Sequence, residues 1–137
     1  MPNHPYREFD RWLGDSEASN WNEYIREQVG LGIIPTFTQR DWNSLEAAIA
    51  HKPAFWLQRC VVSLGKSRHA KALPLLKTLL AHADRDTQIL AAYELDWAEE
   101  PIEHELGSVI RRLYASIPEA ERSDYPEIES LLKKSAR

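Results

Sequence analysis

Residues Ala72 to Leu95 read ALPLLKTLLAHADRDTQILAAYEL, and the rest of the chain is organised around this stretch. A leucine-rich run, a polar turn carrying Asp84 and Asp86, and a second run with the small pair Ala91 and Ala92 predict two antiparallel helices. The small side chains of the second helix let its partner approach closely. A hairpin of this kind cannot bury its apolar face alone, so it predicts neighbours built the same way.

A neighbour lies on the N-terminal side. Thr38 is a good N-cap, and Phe37 before it stands in staple relation to Trp42. Trp42, Leu45, Ala48 and Ile49 then form an apolar stripe that ends near His51. Pro53 fits a first helical position, and Leu57, Cys60, Val61 and Leu64 make a second stripe closed by Gly65 as the residue past the helix end. A shift of 31 positions carries His51 onto His82, Leu45 onto Leu76, Ile49 onto Leu80, Cys60 onto Ala91, Val61 onto Ala92 and Leu64 onto Leu95. Apolar falls on apolar and small on small.

The flanks are read in the same terms. Residues 1–18 form a short docking segment or frayed helix, with Tyr6, Phe9, Trp12 and Leu13 at helical spacing. Residues 19–37 hold a first helix capped by Ser19 or Asn20 and stopped at Gly30, followed by the linker that carries Ile33, Ile34 and Pro35. Hairpin one spans 38–66 and hairpin two 68–98. A degenerate capping hairpin fills 101–137, with Ile102, Leu106, Val109, Ile110 and Leu113 on one stripe and Tyr125, Ile128, Leu131 and Leu132 on the next. The expectation is one all-α domain of about five to seven helices, a short α-solenoid of antiparallel hairpins.

Composition bounds the function. The chain has 137 residues, 43% of them hydrophobic and 28% charged, with a formal net charge of −4. That balance predicts a folded globular protein and argues against a nucleic-acid phosphate footprint, while leaving a basic partner easy to accommodate. The N-terminal sequence lacks an apolar core of signal-peptide length and no run of 18 apolar residues occurs, so a cytoplasmic protein without a membrane span is expected. The single Cys60 permits no internal disulfide, which fits a reducing compartment.

The residues of the central hairpin resemble the HEAT repeat. Ala72-Leu73-Pro74-Leu75-Leu76, then Leu79-Leu80, Asp84, Ala91-Ala92 and Leu95 follow its pattern of a proline in the first helix and an alanine pair in the second. Gln88 stands where that family usually has an arginine. The resemblance implies a curved helical stack that binds other macromolecules. In size, charge and fold style the chain is also similar to bacterial immunity proteins that neutralise toxins.

Motifs for chemistry fail on inspection. Gly65-Lys66-Ser67 lacks the earlier glycine of a phosphate loop, because Cys60 holds that position, and a helix precedes it where a strand is required. Asp84 and Asp86 have the opening spacing of a calcium loop, but Ile89 replaces its glycine. His104-Glu105 lacks the second histidine of a helical zinc motif. Cys60 reads as a small core residue. No catalytic, cofactor or metal residue is therefore assigned.

The strongest surface candidate is the segment Tyr93 to Glu105, YELDWAEEPIEHE. Tyr93, Glu94, Asp96, Trp97, Glu99, Glu100 and Glu103 place carboxylates around an aromatic ring, a pattern suited to a basic protein surface. The expected function is a non-catalytic protein-binding module, of the immunity type, that occludes a basic toxin such as a nuclease. Two rivals are a small-molecule carrier or small enzyme with an interhelical pocket walled by Trp56 or Tyr93, and a nucleic-acid scaffold using Arg59, Lys66, Arg68 and Lys71.

Overall fold

The computed structural model describes residues 4–98 and 101–136. Among them no strand occurs, and the α-helices number eight, more than the five to seven expected. They are α1 (Pro5–Leu13), α2 (Glu23–Glu27), α3 (Gln39–Ile49), α4 (Ala54–Ser67), α5 (Ala72–His82), α6 (Arg85–Ala98), α7 (Gly107–Ser116) and α8 (Pro126–Ser135). A π-helical turn at Gln28–Ile33 and a 3-10 turn at Ile34–Thr36 link α2 to α3. Two more 3-10 turns precede α7 and α8. No helix among the described residues is long and apolar enough to cross a membrane.

The N-terminal segment is a well-made helix and accounts for part of the excess. Pro5 sits at its first position, where its missing N–H costs nothing. Phe9 and Leu13 are fully buried, each worth about 2 kcal/mol of burial. Gly14 ends the helix at φ +91°, and a Cβ there would run into the side chain of Ser19.

Asn22, not Ser19 or Asn20, caps α2, its Oδ1 accepting the N–H of Ile25 at 2.9 Å. Gly30 does not stop the helix. It is buried inside the π-helical turn, where a Cβ would press on the side chain of Lys66 and the carbonyl of Ser63. The glycine serves close approach to α4, which its position in sequence does not distinguish from a terminator.

The start of α3 is as read. Thr38 and Asp41 form a reciprocal capping box, and the rings of Phe37 and Trp42 meet edge-on at 5.0 Å. Asp41 also accepts the N–H of Tyr6 at 3.1 Å, so one carboxylate closes both α1 and α3. Burial pushes its carboxyl upward, but the bonds from Thr38 and Tyr6 and the field of His4 hold it below the usual aspartate value.

Helices α4 and α6 each have 14 residues and are displaced by the 31 positions of the repeat. Cys60 and Ala91, Val61 and Ala92, and Leu64 and Leu95 are all fully buried. The ends of α4 differ from expectation. Pro53 is its N-cap, and the helix runs past Gly65 to Ser67, where Arg68 takes the left-handed conformation at φ +53°. Pro74 is the third residue of α5, inside the first turn whose N–H groups have no helical partner, so it breaks no bond. Asp84 caps α6 through Thr87, and Gln88 reaches back to the carbonyl of Leu80, closing α5.

Helix α4 packs against α2 with its π-helical turn, and against α5 and α6. Helix α6 contacts α5 and α8, while α3 packs on α1. The buried side chains form one continuous cluster from Phe9 to Leu131. Cys60 lies wholly inside it, and burial pushes its thiol far up from the ordinary value.

Candidate functional site

The C-terminal end of α6 carries the residues singled out above. Tyr93 and Trp97 are one turn apart, 48% and 60% exposed. Each is large and apolar, and neither is stapled under the next helix. The helix is anchored by Ala91, Ala92 and Leu95 on its opposite side, which fixes the two rings outward.

Beside Trp97 a cleft of about 270 Å³ opens where the end of α4, the start of α5 and the end of α6 meet. Leu64, Ala72, Leu73 and Leu76 supply apolar walls, and Arg68, His69 and Glu94 add polar groups. The guanidinium of Arg68 sits 5.8 Å from the centre of the Trp97 ring, within cation–π reach. The left-handed turn at Arg68 directs the chain from α4 into this corner.

The carboxylates of the segment have diverse fates. Glu94 is half-buried and its side chain crosses α4 at Gly65, filling the place a Cβ would take. Burial raises its carboxyl above the usual glutamate value, and the nearby cations Arg26, Arg68 and Lys66 offset only part of that. Asp96 pairs with Lys134 of α8 at 2.9 Å and accepts the hydroxyl of Ser130 at 2.6 Å. Glu103 pairs with Lys77 at 2.7 Å, and that bond holds its carboxyl below the usual value. Glu99 and Glu100 lie outside the described residues. The structure thus brings Glu94 and Trp97 to the cleft and leaves Tyr93 exposed one turn before it, while Asp96 and Glu103 face cations of the same chain.

The residues of the rival readings are also placed. Trp56 is buried in the core, its indole N–H donating to Asp10 at 2.8 Å. Arg59 belongs to no basic stripe. Its guanidinium is buried and donates to the carbonyls of Leu13, Glu17 and Ser19 and the hydroxyl of Ser19, between the rings of Trp21 and Phe55. Lys66 faces Glu27 at 3.6 Å. Among the described residues no group of three or more His, Cys, Asp or Glu side chains is arranged to hold a metal ion.

Sequence reasoning placed Arg68 in a basic stripe and missed both its contact with Trp97 and the role of Gly65. Gly65 carried a signal, since a glycine four residues from Val61 in an apolar stripe marks close approach as readily as an end. Arg68 carried none, because its left-handed turn follows from the packing of α4 on α5. No protein-family model, curated protein or solved structure matches this chain.

Proposed function

We propose that this chain is a non-catalytic protein-binding module, a short HEAT-like stack of helical hairpins that docks a partner on the α6 face bearing Trp97 and Tyr93. The equal lengths and 31-residue displacement of α4 and α6, and the close packing of α5 on α6, support the stacked-hairpin reading, while α3 packs on α1 in place of α4. The observation that carries the binding reading is Trp97, a mostly exposed indole at the lip of an apolar-walled cleft with a guanidinium against its ring. Binding hot spots have this make-up of an aromatic anchor, an arginine and an adjoining pocket.

The proposed partner is a basic protein, and the proposed role is of the immunity type: occlusion of the working surface of a toxin such as a nuclease, in the cytoplasm. Because Asp96 and Glu103 are engaged within the chain, attraction to such a partner rests on the overall charge of −4 more than on a dense acidic patch. The ring supplies affinity and the net charge supplies steering.

The test is capture of proteins from native cells on the immobilised chain and on its Trp97→Ala variant, with helicity checked by circular dichroism. A basic protein retained by the parent and held about tenfold or more weakly by the variant is expected. Equal retention by both would sink the α6 surface.

A further inference from the structure

A second groove, of about 660 Å³, lies at the opposite end of α4 and α5 from the Trp97 cleft. It exists because α3 packs on α1 and leaves a gap toward α5. Ile49 and Ala50 line one side, Leu57 the floor, and Leu79 and Ala83 the other side. The apolar lining is continuous enough to receive an aliphatic side chain.

The charged side chains at its rim are Glu46, Lys52 and Asp84, and the imidazole of His82 lies beside them. Lys52 is neutralised, its Nζ lying 3.0 Å from Asp10 and over the ring of Trp56. Asp84 accepts from the N–H and hydroxyl of Thr87 and makes no ion pair among the described residues. Glu46 is exposed and makes no ion pair among the described residues. Helices α3 and α5 end here and α4 and α6 begin here, so their opposed dipole ends offset one another and the negative sign of the rim comes from Glu46 and Asp84. An apolar floor under a negative rim is complementary to an amphipathic segment with aliphatic and cationic side chains.

We propose that this groove takes a lysine- or arginine-bearing amphipathic segment of the basic protein partner. Its aliphatic side chains pack on Ile49, Leu57 and Leu79, and its cations meet the carboxylates of Glu46 and Asp84. The inference deepens the function proposed above and rests on it for the existence of a basic partner. It assigns the charge recognition to the α3–α5 groove, where the carboxylates are free of internal cations, and leaves the aromatic contact to α6.

The test titrates the 15N-labelled full chain with a synthetic amphipathic peptide of leucine and lysine, and with its leucine–glutamate counterpart. Amide shifts centred on Ile49, Ala50, Leu79 and Ala83, seen with the lysine peptide alone, are expected. Glu46→Lys should weaken that binding about fivefold, and Glu46→Gln by less. Shifts centred on Tyr93 and Trp97, equal binding of both peptides, or no effect of Glu46→Lys would overturn the groove. Partner capture separates the two proposals. Loss in Trp97→Ala with full retention in Glu46→Lys overturns the groove and leaves the module standing, whereas loss in Glu46→Lys alone upholds the groove and removes the α6 surface.

Discussion

The side chain of Glu94 on α6 crosses α4 at Gly65, occupying the space a Cβ on that glycine would need. Both residues are maintained at some expense to stability. A glycine inside a helix costs about 1 kcal/mol relative to alanine, and burial disfavours the ionised carboxylate of Glu94. The obstacle to a Cβ is the far end of a flexible side chain, which can swing into water. Gly65→Ala is therefore expected to be neutral or to stabilise by up to about 1 kcal/mol. In the variant the carboxyl of Glu94 should also fall back toward the ordinary glutamate value. Urea unfolding and a carboxyl NMR titration measure both effects; destabilisation by more than about 1 kcal/mol would show that Glu94 is fixed where it lies.

Asp41 should make stability depend on pH in acid. Its folded carboxyl lies below the usual value of 3.8, because the N–H groups of Thr38 and Tyr6 and the hydroxyl of Thr38 outweigh its burial. A depressed carboxyl contributes stability that is present above its unfolded value and is lost as pH falls through the folded one. Asp41→Asn is expected to cost about 1–2 kcal/mol at neutral pH, since one amide oxygen cannot serve both α1 and α3. The difference between parent and variant should shrink below pH 3.8. A gap between the two that stays constant through that range would remove the charge from the explanation.

Arg59 holds the loop between α1 and α2 by donating to Leu13, Glu17 and Ser19, and it is only 9% exposed. It makes no ion pair among the described residues, so the guanidinium is satisfied by carbonyls, a hydroxyl and two aromatic faces. Arg59→Ala leaves those carbonyls unpaired and should cost about 3 kcal/mol. Arg59→Lys should recover less than half of this, because an ammonium cannot span the same set of acceptors. Amide hydrogen exchange localises the effect: residues 14–22 should lose protection before α4 does. Uniform loss across the chain would mean the clamp is part of the global core instead.

How much of this was legible in the sequence follows from which forces are local. The capping box at Thr38, the Phe37–Trp42 staple, the buried series Cys60, Val61, Leu64 and its copy Ala91, Ala92, Leu95 are set by neighbours within a few residues or by period. They were readable. The behaviour of Gly30 and Gly65 was not, because both glycines answer to another helix: Gly30 to α4 and Gly65 to α6. The candidate surface divides the same way. Exposure of Trp97 and Tyr93 agrees with the pattern of their helix, but the ion pairs of Asp96 and Glu103 join residues 38 and 26 positions apart, beyond the reach of local pattern. The short, charge-rich segment YELDWAEEPIEHE looked like an open acidic patch because its cations come from α8 and α5.

Asp96 provides the sharpest test of that last point. Its carboxylate is about three-quarters buried, bonded to Lys134 and Ser130, while the backbone carbonyl of Asp96 accepts a second bond from the same ammonium. Such a pair, on two helices and partly shielded from water, should couple by about 1 kcal/mol in a double-mutant cycle of Asp96→Ala and Lys134→Ala. If the residue serves α6–α8 packing, Asp96→Ala lowers the unfolding midpoint and leaves the salt dependence of partner capture unchanged. Were it instead a docking carboxylate, stability would hold and capture would lose salt dependence. The two outcomes move different observables, so one variant measured twice decides between a structural pair and an acidic recognition site at the end of α6.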